Sequence, residues 1–292
     1  MIEKFIASLD RGEAFFEGNV LFVPIKGEDR GNGVSVLDES IAYGTLEVKD
    51  PGVIDTAVID YRGYNPLFVM DGEEIVGARQ NRIFATSFLT ERVEGLRVPV
   101  VCVEEGRWED GTYFATGTVC ANPQIRSVIA TTTFKSLQRR KEYKPDQKLV
   151  WKEVRKTLDR LNVQSKTLSL HDVYNRGMHL FSTDYTPDED TIGIMGFDGE
   201  GFTGMDVFSS HAVFKKLSGK IIQSYLMGSW GIRGKFSTAP EPLKEIEGLE
   251  DWKGFPSIGP EREYRTENRD KVAKALVDND KVVHLSIFRR RV

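Results

Sequence analysis

Through the first 120 residues the apolar positions fall in short β-branched and aromatic runs separated by turn residues. Asn19–Ile25 is almost continuously apolar, as in a strand covered on both faces. Further runs occupy Val53–Tyr61, Pro66–Met70, Glu73–Gly77, Ile83–Phe88, Arg97–Glu104 and Thr112–Val119. Asp71-Gly72, between two of them, is a hairpin signal, because both central residues of a type I′ turn need positive φ. An antiparallel sheet or partly open barrel is expected.

Near residue 120 the period changes. Within 146–161, Val150, Val154, Leu158 and Leu161 form one helical stripe. Phe214, Leu217, Ile221 and Tyr225 form another, with Ser209 or Ser210 placed to cap its start and Gly228 its end. Residues 229–266, rich in Gly, Pro and charge, read as a long irregular connection. Asp270–Asp278 reads as a short helix, and Val282–Phe288 as a strand returning to a sheet. The expected fold is a single α+β domain over residues 1–292. Its antiparallel β-rich N-terminal half, 1–125, packs with helices from a helix-containing portion, 126–292, and the boundary lies near 125–145.

Composition narrows the class. With 40% hydrophobic and 29% charged residues the chain is an ordinary globular sequence, long enough to bury a core without a metal or disulfide staple. Of its two cysteines, Cys102 lies in the apolar run Val100–Val103 and reads as a buried small hydrophobe. The N-terminus has no signal-like apolar core, and no stretch approaches the ~18 apolar residues of a membrane span. The expectation is a soluble cytoplasmic protein with no membrane contact. The net charge of −4 is uneven, since residues 126–160 carry eleven basic and four acidic side chains. Such a stretch attracts anions, nucleic acid included, although a solvated helix face accounts for it more simply.

Several familiar motifs fail. Gly199-Glu200-Gly201-Phe202-Thr203-Gly204 fits the dinucleotide pattern G-x-G-x-x-G, but that pattern works only where a helix follows immediately. Here Met205–Phe208 continues as a strand, so Asp198-Gly199 reads as a hairpin turn. No P-loop, nucleophile elbow or H-E-x-x-H helix is present. His171, His179, His211 and His284 are scattered without zinc spacing. Carboxylate-bound magnesium leaves no spacing signature and stays open. No signature names a cofactor.

The block that stands out runs from Asp71-Gly72-Glu73-Glu74 through Gly77-Ala78 into Arg79-Gln80-Asn81-Arg82. A dense polar cluster here interrupts what should be sheet, and buried donors need partners. Two guanidinium forks and two amides offer many N–H groups and few acceptors, a chemistry suited to phosphate or carboxylate. Glu104-Glu105-Gly106-Arg107-Trp108 supplies acids and a flat ring on which a base could stack. Asn122-Pro123-Gln124-Ile125-Arg126-Ser127 is a third polar knot, expected in a loop. The bland alternative is that these arginines and glutamates pair with one another across neighbouring strands.

At these residues the chain resembles the ADP-ribosylglycohydrolase- and rhodanese-phosphatase-associated domain family. The pattern Asp-Gly-Glu-Glu–aliphatic–Gly–x–(Lys/Arg)-Gln-Asn-Arg corresponds to Asp71 to Arg82. Cys-Val-Glu–x–Gly-Arg-Trp corresponds to Cys102 to Trp108. A serine–arginine segment and a Gly–x–Asp–x–Phe strand follow as Arg126-Ser127 and Gly204 to Phe208. The ordered match covers most of the chain, with Ala78 where the pattern has glycine. The resemblance implies association with ADP-ribose-processing and phosphatase-like proteins rather than an activity. The residues and the resemblance together lead to a phosphate-bearing nucleotide metabolite such as ADP-ribose, bound and, in one version, hydrolysed. Arg79, Arg82 and Arg107 would hold phosphate, with Arg126 and Ser127 nearby, while Gln80 and Asn81 orient the ligand and Trp108 stacks. Glu104 or Glu105 would be the base, since neighbouring carboxylates can raise one pKa; Asp206 is a weaker candidate. The alternatives are a non-catalytic sensing module with protein partners, or a nucleic-acid role through residues 126–160.

Overall fold

The computed structural model describes residues 1–31, 33–177, 182–232, 234 and 242–292. His179 and part of the 229–266 connection lie outside the described residues.

Six antiparallel strands close into a barrel: Leu46–Lys49, Thr56–Tyr61, Glu73–Gly77, Arg82–Phe84, Val93–Cys102 and Tyr113–Cys120. The barrel is closed rather than partly open because the three-residue strand Arg82–Phe84 bonds to Glu73–Gly77 on one side and to Val93–Cys102 on the other. Inward-facing Val48, Ile59, Ile75, Phe84, Val100 and Phe114 fill its interior, so the lumen is core and not a channel. Beside it lies a small sheet of Ser35–Val36, Leu67–Val69 and Phe88–Thr90.

The second large element is a nine-stranded antiparallel sheet. Three strands, Asp10–Arg11, Phe15–Glu17 and Val20–Lys26, come from the N-terminus. The other six are Thr191–Asp198, Gly201–Phe208, Lys253–Pro256, Arg262–Glu267, Lys271–Asp278 and Lys281–Arg289. β structure is therefore not confined to the N-terminal half. The helices Pro123–Arg140 and His211–Ser229 lie against this sheet, and the latter also packs on the barrel strand Tyr113–Cys120. One continuous apolar core joins sheet, helices and barrel, running from Phe22 and Ile194 through Phe214 and Ile221 to Val101 and Val119. A second core covers the other face of the sheet under the short N-terminal helix Ile2–Ala7. Among the described residues no helix is long and apolar enough to cross a membrane.

Several expectations change at element level. Asp270–Asp278 is not a helix: Lys271–Asp278 is a strand whose six central residues are all buried, and a strand covered on both faces lacks alternation. Its turn signal is Asn279-Asp280, both with positive φ (46° and 60°), which joins it to Lys281–Arg289. Lys253–Pro256 and Arg262–Glu267 are short strands inside the stretch expected to be irregular. Asn122–Ser127 is not a loop, because Asn122 accepts a hydrogen bond from the Ile125 amide and Pro123 opens an 18-residue helix. The helix His211–Ser229 begins at Ser210 without a side-chain cap bond and ends at Trp230, past Gly228. Asp71-Gly72 is not a hairpin. The Glu73 amide bonds to the Met70 carbonyl with Gly72 at φ 84°, a type II turn carrying the chain from the small sheet into the barrel. By contrast, Thr191–Asp198 and Gly201–Phe208 do pair as a hairpin, so the glycine-rich motif opens no helix.

Candidate functional site

The polar block 77–82 crosses the barrel wall, and its side chains part company there. Arg82 is fully buried with its guanidinium 5.4 Å from the centre of the Phe114 ring. It donates to the Val53 and Thr56 carbonyls at 3.0 and 2.9 Å and to Asp50 at 2.8 Å. Arg79 reaches the same Asp50 oxygen only at 3.6 Å and stays 26% exposed, 5.9 Å from the centre of the Trp108 ring. Ala78 sits at φ 41°, so the departure from the glycine pattern falls where a Cβ is strained.

Gln80 and Asn81 face the Glu104–Trp108 segment and the chain at 165–171. The Asn81 amide donates to Glu104 Oε2 at 2.9 Å, and its side chain bridges Ser169 and Arg107. Gln80 donates to the Glu104 carbonyl at 2.9 Å. Arg107 donates to Glu104 Oε2 at 2.9 Å and to the Ala78 carbonyl at 2.8 Å. Thr167 donates to the other Glu104 oxygen at 2.7 Å. Burial pushes this carboxyl up, but Arg107, Thr167 and the Asn81 amide outweigh it and hold Glu104 below its usual value. That is the opposite of what a general base needs. Glu105 points elsewhere and accepts from Arg155 at 2.8 Å. Trp108 is 55% exposed.

Arg126 and Asp206 belong to a separate, fully buried network at the seam between barrel and sheet. Arg126 forks Asp71 at 3.0 and 3.1 Å and Asp206 at 2.8 and 2.7 Å. Lys274 stands 2.7 Å from Asp71, a charge contact without hydrogen-bond alignment. His284 bridges Asp206 at 3.1 Å and Ser87 at 2.9 Å, and Tyr225 donates to Asp206 at 3.2 Å. Burial would raise both aspartates. Arg126 with Lys274 holds Asp71 well below the usual carboxylate range, and Arg126 with His284 lowers Asp206. Burial lowers His284 and brings Lys274 down to about 8. With His284 neutral, two cations face two anions and the network carries no net charge. Ser127 donates to the Arg289 carbonyl at 2.7 Å. The geometry separates this network from the lip at Arg79 and Trp108.

The basic stretch is spoken for only in part. Beyond buried Arg126, Lys144 pairs with Asp55, Arg155 with Glu105 and Lys156 with Glu153.

Glu74 and His171 emerge only in three dimensions. His171 Nδ1 lies 2.7 Å from Glu74 Oε2, and the other Glu74 oxygen is buried without a partner among the described residues. Burial raises Glu74, and its hydrogen bond raises His171, which keeps 23% exposure. The Asp-Gly-Glu-Glu motif marked Glu74; no local signal marked His171. Burial pushes the Cys102 thiol up to about 11, an unreactive state.

The model of the ARG and Rhodanese-Phosphatase-superfamily-associated Protein domain matches residues 8–288. Comparisons with curated proteins and with solved structures gave no significant match.

Proposed function

The chain belongs to the ARG and Rhodanese-Phosphatase-superfamily-associated Protein domain family, and from that premise we propose that it binds a phosphate-bearing nucleotide metabolite, of which ADP-ribose is the type, at the barrel lip without hydrolysing it. The observation that carries this reading is the Arg79–Trp108 pair. An indole 55% exposed lies beside the least committed guanidinium of the polar block, whose Asp50 partner is already bonded to Arg82. A ring stacked on Trp108 would leave its phosphate within reach of Arg79. Arg82 and Arg126, both fully buried against protein acceptors, are not available to a ligand there. Arg107, Gln80 and Asn81 fix the lip from behind. Neither Glu104, with both oxygens occupied, nor buried Asp206 is free to activate water.

Titration with ADP-ribose, ADP and inorganic phosphate, followed by tryptophan fluorescence and thermal melting, tests the reading. Saturable quenching by the nucleotides is expected, lost in Trp108→Ala and weakened at least tenfold in Arg79→Gln. Ligand at 100 times Kd adds about 2.7 kcal/mol, a melting shift of about 4–5 °C at this chain length. No response to either nucleotide refutes the binding claim. Consumption of bound ADP-ribose, read by chromatography, refutes the claim that the site does no chemistry and turns attention to Glu74 and His171.

A further inference from the structure

A cleft of about 790 Å³, sharing no residue with the barrel lip, opens between the strand Phe88–Thr90 and the turn after Lys271–Asp278. Glu91, Glu261, Asp278 and Asp280 line it, and none of the four forms an ion pair among the described residues. Three of them are solvated acids that alone would mean nothing. Glu261 is different. It is 3% exposed and fixed through Oε1, which accepts from the Leu89 amide at 2.9 Å and from Ser257 at 2.8 Å. Its Oε2 receives no aligned hydrogen bond from the described residues. The Gly259 backbone comes close enough to ease the charge, and a Cβ there would collide with that oxygen. A carboxylate held this rigidly in the lining of a cleft, with its second oxygen buried and short of an aligned donor, can take a donor from outside the chain once the Gly259 turn gives way.

We propose that this cleft binds an organic cation carrying ammonium or guanidinium groups, with Glu261 as the buried anchor and Glu91, Asp278 and Asp280 as a solvated rim. An organic cation suits the spacing better than a metal ion, because among the described residues no three acidic, histidine or cysteine side chains gather closely enough to share one. Leu89 and Val277 supply apolar wall for a methylene chain between charged ends. Arg262, the one cation of the lining, sits against the Gly254 backbone, where its Nη2 would be 3.3 Å from a Cβ. Burial holds the Glu261 carboxyl above its ordinary value, so an incoming cation draws it back toward ionisation and binding strengthens as pH rises.

Calorimetric titration of the full chain with putrescine, spermidine and agmatine decides the matter, with magnesium chloride and sodium phosphate as parallel arms. At least one amine is expected to bind saturably, more weakly at high salt. The Kd should rise tenfold or more in Glu261→Gln and two- to fivefold in Asp280→Asn, whose exposed position leaves the fold untouched. The proposal is overturned if no amine binds, or if the amines bind Glu261→Gln and Asp280→Asn as tightly as the parent. Binding of phosphate in place of the amines, or of magnesium with their exclusion, overturns it as well.

Discussion

Arg126 is the side chain whose removal should be felt most. Arg126→Met leaves Asp71 and Asp206 buried with only Lys274 and His284 to compensate, and one-sided loss of a buried ion pair costs about 3–5 kcal/mol. Urea denaturation should show that loss without a change in slope, and a cost below about 1 kcal/mol would mean that the network is not what holds the seam. Ala78 offers the opposite sign. Its φ of 41° carries the left-handed penalty that glycine avoids, of order 1–2 kcal/mol, offset in part by the greater entropy of an unfolded glycine. Ala78→Gly should therefore stabilise by about 0.5–1 kcal/mol in the same measurement. Glu74 and His171 set a pH dependence. His171 has a raised folded value, so its contribution is complete below 6.5 and is lost as pH rises through the folded value. Glu74 is raised from 4.5 and pulls the same way, since the folded state holds the proton longer. Stability measured from pH 4.5 upward should thus decline from this pair, and His171→Gln should flatten the part above 6.5. An unchanged slope in that variant would exclude the pair as its source.

At the scale of elements, the helix Pro123–Arg140 shows where sequence reading stops short. Its early turns carry Gln124, Arg126, Ser127, Thr131 and Thr133, all buried, so no apolar stripe announces the helix. What does announce it is the Asn122-Pro123 start, a capping signal outweighed by the polarity around it. Asn122 also donates to Thr157 on the neighbouring helix at 3.1 Å. Asn122→Ala is therefore expected to cost about 1–2 kcal/mol, seen as a lower denaturation midpoint. The strand Lys271–Asp278 fails for the converse reason: Val272, Ala273, Ala275 and Leu276 are apolar on both faces, which periodicity alone cannot tell from a buried helix. The barrel strands other than the four-residue Leu46–Lys49, the helix Gln147–Arg160 and the helix through Phe214 and Tyr225 were legible, because each presents one face to a core.

Over the whole molecule, the polar block was legible as unusual but not as divided. Arg79 and Trp108 look outward while Arg82 turns into the barrel, and nothing in the order Arg-Gln-Asn-Arg distinguishes the two arginines. The Asp71–Arg126–Asp206–His284 network joins residues up to 213 positions apart, beyond the reach of any spacing rule. Because one core runs unbroken from sheet to barrel, the molecule should unfold as a unit. Single-tryptophan variants reporting from Trp108 on the barrel and Trp252 under the sheet should give coincident transitions, and midpoints that separate would show two independent units.

The N-terminal strand Val20–Lys26 bonds along its length to Thr191–Asp198, so its partner lies more than 160 residues downstream. On the ribosome, at about 5–20 residues per second, the apolar run Val20–Ile25 emerges many seconds before the strand that covers its second edge exists, since only Asp10–Arg11 and Phe15–Glu17 precede it. The early product is a barrel with a loose, sticky leader, and the last strands to be made complete the sheet that the first ones began. Nascent chains stalled before residue 190 should therefore engage holdase chaperones through their first 26 residues, and chains released at full length should not.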